Sequence, residues 1–286
     1  MGNVRGNTYS RKHQHYSPDD DQFWAWSWDQ MVSYDIPAMI HYVLNKTKQE
    51  SLFYVGHSQG TLIAFAAFSA NPEIAKRVKL FFAMGPVSTV GYIESPIKLL
   101  AYLTPEINDL FHILGIREFL PSDELIKFLG SSFCEAFTRF ICADVIFVIA
   151  GYDPKQLNQT RLPVYIAHAP AGTSVQNIVH FAQMVRSGHF QRFNYGCPEL
   201  NKEHYGQPTP PTYNLTKMQV PVYLYHAEND WLADPKDVQL LIKKLSNLKG
   251  SYKIPEWDHL DFIWGLNAAE QVYHPVINIM KNFIGG

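Results

Sequence analysis

Gly56-His57-Ser58-Gln59-Gly60 fits the pattern G-x-S-x-G. A serine hydroxyl is a weak nucleophile at neutral pH, so Ser58 needs a base within hydrogen-bond reach and a carboxylate to orient that base. Where a G-x-S-x-G serine sits on a strand-to-helix elbow, its partners follow in the order acid, then histidine, each on a loop after a strand. Asp230 follows the apolar run 220–226 after a short loop, with Glu228 as its nearest rival. Asp234 is better explained as a helix cap, and Asp237 as first-turn charge on the same helix. The chain has 12 histidines, so position must choose among them. His57 flanks the serine but points away from it in a turn of this type, and His226 lies inside a strand. His259 follows the last short strand and precedes the last helix, where a base belongs. The constellation predicts acyl transfer. Ser58 attacks, His259 moves the proton, Asp230 orients His259, and the backbone N–H of Gln59 receives the oxyanion. This chemistry calls for no metal and no cofactor.

The elements around Ser58 must hold it at a sharp corner. Residues 52–55 read as a strand buried on both faces, and 61–68 as a helix without Gly or Pro. A strand reversing abruptly into a helix brings the residues two before and two after the serine together, which gives Gly56 and Gly60 their purpose. Upstream, Ser27 and Gln30 fit a capping box. Pro37 kinks or restarts the helix that follows, whose buried face carries Ile36, Met39, Ile40, Val43 and Leu44. The aromatic residues of 23–28, three tryptophans among them, read as packing. Residues 78–84 form a second strand ended by Gly85-Pro86. Thus far the order is that of a parallel α/β sheet.

From 88 to 205 the apolar segments turn helical, as in 97–103 and 141–149. This stretch reads as an inserted helical cap over a core made of 1–87 and 206–286. Within it Thr173-Ser174 starts a helix with Val175, Ile178, Val179, Ala182 and Val185 on one face and Gly188 past its end. Strands at 220–226 and 252–254 return the chain to the sheet. Asp234-Pro235 opens a helix over 236–247, and a last helix covers 267–283.

With 286 residues, 47% of them hydrophobic, the chain can bury one large domain or a domain with an insertion. Its net charge of -2, without long runs of one sign, argues against a nucleic-acid groove or a polybasic membrane patch. No stretch approaches the roughly 20 apolar residues of a membrane-spanning helix, and the polar residues 1–12 lack the apolar segment of a signal peptide. Sequons stand at Asn45, Asn158 and Asn214. Cys134 and Cys142 are close enough in sequence for a local disulfide, leaving Cys197 free; buried thiols are the alternative.

The longer motifs carry a resemblance. Gly6-Asn7-Thr8, Phe23-Trp24-Ala25, residues 34–38 (YDIPA), 54–61 (YVGHSQGT), 170–177 (PAGTSVQN), Asp230 with 232–235 (LADP) and 259–262 (HLDF) resemble the acid lipase family of gastric and lysosomal lipases. The match runs nearly end to end. It implies an α/β-hydrolase fold with a cap, acting on esters of long-chain fatty acids such as triacylglycerols or sterol esters at a lipid–water interface. By position, Ser58, Asp230 and His259 match the family's nucleophile, acid and base. The family is glycosylated and either secreted or lysosomal. Three departures stand out. Residues 227–229 (AEN) replace a glycine-rich turn, which could displace Asp230. The Cys134–Cys142 spacing differs from that of the family's disulfide, and Cys197 is unusual. Set against the family, the sequence starts past the first strands, and no His-Gly pair supplies a second oxyanion donor. The reading is therefore an N-terminally truncated lipase whose serine strand is an open edge. The alternatives are a weakly active or inactive remnant that only binds lipid, and a hydrolase of small soluble esters.

Overall fold

The computed structural model describes residues 1–102, 116–119 and 149–285. The main elements are α1 (Ile36–Thr47), β1 (Leu52–His57), α2 (Gln59–Ala70), β2 (Val78–Met84), α3 (Val175–Ser187), β3 (Val222–Ala227), α4 (Pro235–Lys244), β4 (Leu248–Ile254) and α5 (His274–Gly285). The four strands form one sheet in the order β1-β2-β3-β4, with every pair parallel.

The alternation of apolar residues along β2 explains why both faces of the sheet are covered. Phe81 and Ala83 join one cluster with Leu62, Phe65 and Phe68 of α2, Ile36 and Ile40 of α1, and Leu241 of α4. Leu80, Phe82 and Met84 point the other way, into a cluster with Trp257, Phe262, Val272 and Val276. A strand sandwiched in this way is apolar throughout. β1 departs from that expectation. It is an edge strand, mostly half-buried, and Val55 is 47% exposed. Its neighbour β2 is buried almost end to end.

Other boundaries moved for local reasons. β3 begins at 222 because Pro221 has no N–H to give the ladder, although its carbonyl still accepts from Phe81. β4 starts at Leu248, four residues before the reading placed it. It is an edge strand with Lys249 and Ser251 exposed, so its first half reads as loop. The capping box is present, with the Ser27 N–H donating to Gln30 Oε1 at 2.8 Å. The helix it starts widens into a π turn over Met31–Asp35, and α1 restarts with Pro37 in its first turn. That position needs no proline N–H. The last helix contains a similar π turn, Ala269–Tyr273, and α5 begins after it.

Trp24, Trp26 and Trp28 are all buried, and Trp28 stacks on His180 of α3 with centroids 4.1 Å apart. Ser174 caps α3 and Gly188 ends it at φ 64°. Met184 and Phe190 belong to the same apolar cluster as α2, so this part of 88–205 shares the core of the sheet. Glu118–Phe119 pairs antiparallel with Thr173–Ser174. Cys134, Cys142 and most of the helix expected at 141–149 lie outside the described residues. Cys197 is a free thiol.

Candidate active site

Ser58 is the corner between β1 and α2. It holds φ 53°, ψ -122°, a strained conformation for a residue with a side chain. Its N–H donates to the Met84 carbonyl at 3.1 Å, which pins the corner to β2. Only one of the two glycines is sterically required. A Cβ on Gly56 would come 2.8 Å from the Gly60 carbonyl oxygen, whereas a Cβ on Gly60 would meet nothing within 4 Å. The crowding is one-sided because the strand residue faces the helix backbone, while the Gly60 Cβ direction leads into open space.

The structure brings the three expected side chains together. His259 Nε2 lies 2.7 Å from Ser58 Oγ, and His259 Nδ1 lies 2.8 Å from Asp230 Oδ2. Asp230 and His259 are 1% and 2% exposed, so their mutual bond is shielded from water. The Asp230 carboxylate also accepts the N–H groups of Leu232 and Ala233 at 3.0 and 2.7 Å. The Ala-Glu-Asn turn at 227–229 therefore leaves Asp230 in reach. Glu228 faces outward and pairs with Lys253. Asp234 caps α4 through the Lys236 N–H. Asp237 does more than supply first-turn charge. It is buried and accepts from Thr89 Oγ1 and the Tyr92 N–H, tying 89–92 to α4. His226 bonds Ser251.

Several positioning residues were invisible in the sequence. The Ala150 carbonyl accepts N–H groups from Trp231 at 3.2 Å and from His259 at 3.4 Å, joining the acid and base loops. Gly151, at φ +120°, is wedged so closely that a Cβ would fall 1.9 Å from the Asn229 carbonyl oxygen. A Cβ on Gly85, at φ +53°, would lie 3.1 Å from the His259 ring, so this glycine makes room for the imidazole. The positive-φ strand end at Gly85-Pro86 was the one signal available. His57 turns from Ser58, as expected, and its Nε2 lies 2.8 Å from the His259 carbonyl oxygen. Burial, then the neighbouring His259, pushes the His57 pKa down to about 3, so it is neutral and donates this bond. Gln59 is gripped through its side chain by Asn177 Nδ2 at 2.8 Å and Met31 Sδ at 3.2 Å.

Beside the base lies a buried acidic pair. The Asp258 N–H donates to Asp261 Oδ2, and the Asp261 N–H donates to Asp258 Oδ1. Burial, then the Asp258 charge, raises Asp261 to about 8; burial raises Asp258 to about 6.

A parallel sheet with a strained serine corner and loop-borne acid and histidine defines an α/β hydrolase. A family model described as alpha/beta hydrolase fold matches residues 1–111. Solved structures agree on the fold. A putative lipase from Sulfolobus solfataricus superposes with TM-score 0.59 at 14% identity, over 94% of this chain and 71% of that one. A Bacillus megaterium epoxide hydrolase gives 0.50 at 13% identity, over 99% and 82%. Sequence relatives narrow the class. Human lysosomal acid lipase/cholesteryl ester hydrolase is 48% identical over 99% of this chain and 71% of its own length. Gastric triacylglycerol lipase from Rattus norvegicus is 48% identical over 98% and 71%, and the Bos taurus enzyme 49% over 98% and 70%. The chain belongs to the acid lipase family of ester hydrolases.

Proposed function

We propose that this chain hydrolyses carboxylic esters of fatty acids through an acyl-enzyme on Ser58. The observation that carries the proposal is the unbroken relay Ser58–His259–Asp230, with links of 2.7 and 2.8 Å. His259 holds its proton on Nδ1, facing Asp230, which leaves Nε2 free to accept the Ser58 proton as Oγ attacks the acyl carbon. The tetrahedral oxyanion lies against the Gln59 N–H, at the start of α2, where the first N–H groups have no partner within the helix. His259 then protonates the leaving alcohol. Water repeats the sequence on the acyl-enzyme and releases the fatty acid.

The names of the relatives support triacylglycerols and sterol esters as the substrate class. On this proposal the stretch 88–205 serves as the cap, rooted in the core of the sheet by Met184 and Phe190. The exposed Ile97, Leu99 and Tyr102, at 39%, 60% and 67%, offer an apolar surface to a lipid–water interface. Among the described residues no helix is long and apolar enough to cross a membrane. The lysosomal and gastric relatives support a lysosomal or secreted location.

A fluorophosphonate probe tests the reading. Covalent labelling of the parent chain, absent in Ser58→Ala, is the expected result. The competing reading, a remnant that binds lipid without turning it over, draws on the exposed edge at Val55. Lipid binding with no labelling would establish it.

A further inference from the structure

The segment 170–177 (PAGTSVQN) has no part in the relay, yet it ends against the serine corner. We propose that Asn177 is a positioning residue that fixes the direction of the Gln59 N–H, the oxyanion donor; this rests on the triad reading above.

Ser58 holds a strained backbone, and the simplest relaxation is rotation of the peptide between Ser58 and Gln59. That same peptide carries the N–H that must point at the oxyanion. The Gln59 side chain opposes the rotation because both ends of its amide are held. Oε1 accepts from Asn177 Nδ2 at 2.8 Å, and Nε2 contacts Met31 Sδ at 3.2 Å.

Asn177 is itself immobilised. It is 1% exposed, its N–H donates to Ser174 Oγ at 3.0 Å, and its Nδ2 also reaches Thr173 Oγ1 at 3.1 Å. Ser174 Oγ in turn donates to the Trp26 carbonyl at 2.5 Å. Thr8, further toward the N-terminus, donates through its N–H to the Ala171 carbonyl at 2.8 Å. The segment is thus bolted to two other parts of the chain before it touches the corner. A purely structural asparagine would satisfy its whole amide. Among the described residues Asn177 Oδ1 is buried without a partner, so the side chain is oriented for the bond to Gln59 and not for its own solvation.

The test compares the parent chain with Asn177→Leu, Gln59→Leu and the double variant. Active sites are counted by fluorophosphonate titration, and p-nitrophenyl ester hydrolysis is expressed per titrated site. The second measurement is inhibition by a long-chain trifluoromethyl ketone, whose hemiketal oxyanion occupies the hole. We expect kcat per site to fall roughly 10- to 100-fold with KM little changed, short of the about 100- to 1,000-fold of losing a donor outright. Ketone affinity should fall in step, and the double variant should match the single ones. Unchanged turnover per site, or additive losses in the double variant, overturns the proposal. Should Asn177→Leu fail to fold, Asn177→Ser, whose hydroxyl falls short of Gln59, is scored by the same criteria. A parent chain that never labels overturns the triad reading, and this inference with it. A labelled parent with unchanged turnover in the variants overturns this inference alone.

Discussion

Ser58 and the Asp230–His259 pair reach the same point by different routes. The serine corner is set by its own neighbours: a strand before it, a helix after it, and Gly56 folded against Gly60. Asp230 and His259 sit on separate loops; the Leu232 and Ala233 N–H groups hold the Asp230 carboxylate locally, but no local device brings it to the imidazole. They meet because Ala150 accepts an N–H from each loop, Gly151 fits between Asn229 and Asp258, and Gly85 leaves space for the imidazole. One half of the site is local architecture and the other is assembled from distant parts of the chain. The consequence is a difference in fragility. The backbone turn of the corner fails through its own residues, with Asn177 bearing only on the direction of the Gln59 N–H, whereas the assembled pair fails through residues that carry no chemistry.

The largest effect should come from inverting the pair without moving it. Asp230→Asn keeps an oxygen for the Leu232 and Ala233 N–H groups but turns an amide N–H toward His259 Nδ1. The imidazole then carries its proton on Nε2 and cannot accept the one from Ser58. We expect kcat to fall about 10,000-fold with the unfolding midpoint little changed. A loss below tenfold would show that Asp230 does not orient the base.

Matched clashes test the two halves next. Gly56→Ala places a methyl 2.8 Å from a carbonyl oxygen in the corner, and Gly151→Ala places one 1.9 Å from a carbonyl oxygen between the loops. Both should lower kcat/KM, and Gly151→Ala should do so by roughly 100-fold or more, since small displacements of catalytic groups are that costly. It should also destabilise the chain by about 3 kcal/mol, because the residue is held at a positive φ and has no room. Wild-type activity in Gly151→Ala would mean that the loops do not depend on this wedge.

What the sequence disclosed follows the same division. Ser58, β2 and α2 were legible because hydrophobic period and glycine spacing are local signals. The meeting of Asp230 and His259 beside Ser58 was legible in their order after strands. The role of Gly151 was not, since its partners at Asn229 and Asp258 are adjacent only in the folded chain. Gly60 misled for a related reason: the pattern suggests symmetric crowding, and only the geometry shows that one side is open. The exposure of β1 at Val55 was legible only through the family resemblance, because a buried and an edge strand can share one apolar composition.

The acidic pair beside His259 sharpens the contrast through pH. Asp261 is held at about 8 against an ordinary 3.8, so the native state binds its proton more tightly than the unfolded chain does. The stabilisation is complete below the unfolded value and is lost as pH rises through about 8. Burial and the facing charges of Asp258, Asp153 and Asp230 all act in this direction. Between those limits the slope is at most about 1.4 kcal/mol per pH unit. Urea unfolding at pH 5 and pH 7.5 should therefore show a larger loss for the parent than for Asp261→Asn, whose amide oxygen can still accept from the Asp258 N–H. Equal losses in the two proteins would remove the acid pair from any account of stability in this half.

The smallest effect concerns the local half, and its sign is informative. Gly60 lies in the first turn of α2, where a Cβ would meet nothing within 4 Å. A glycine inside a helix costs up to about 1 kcal/mol relative to alanine, because its backbone loses more freedom on folding. With no clash to offset it, Gly60→Ala should raise the unfolding free energy by up to about 1 kcal/mol and leave turnover per titrated site unchanged. A destabilised Gly60→Ala would mean that the space beside the corner is not open in the folded chain, and a stable but inactive one would mean that this open space is filled during catalysis. The two glycines of the motif would then be equivalent after all, one limited by the fold and the other by the substrate.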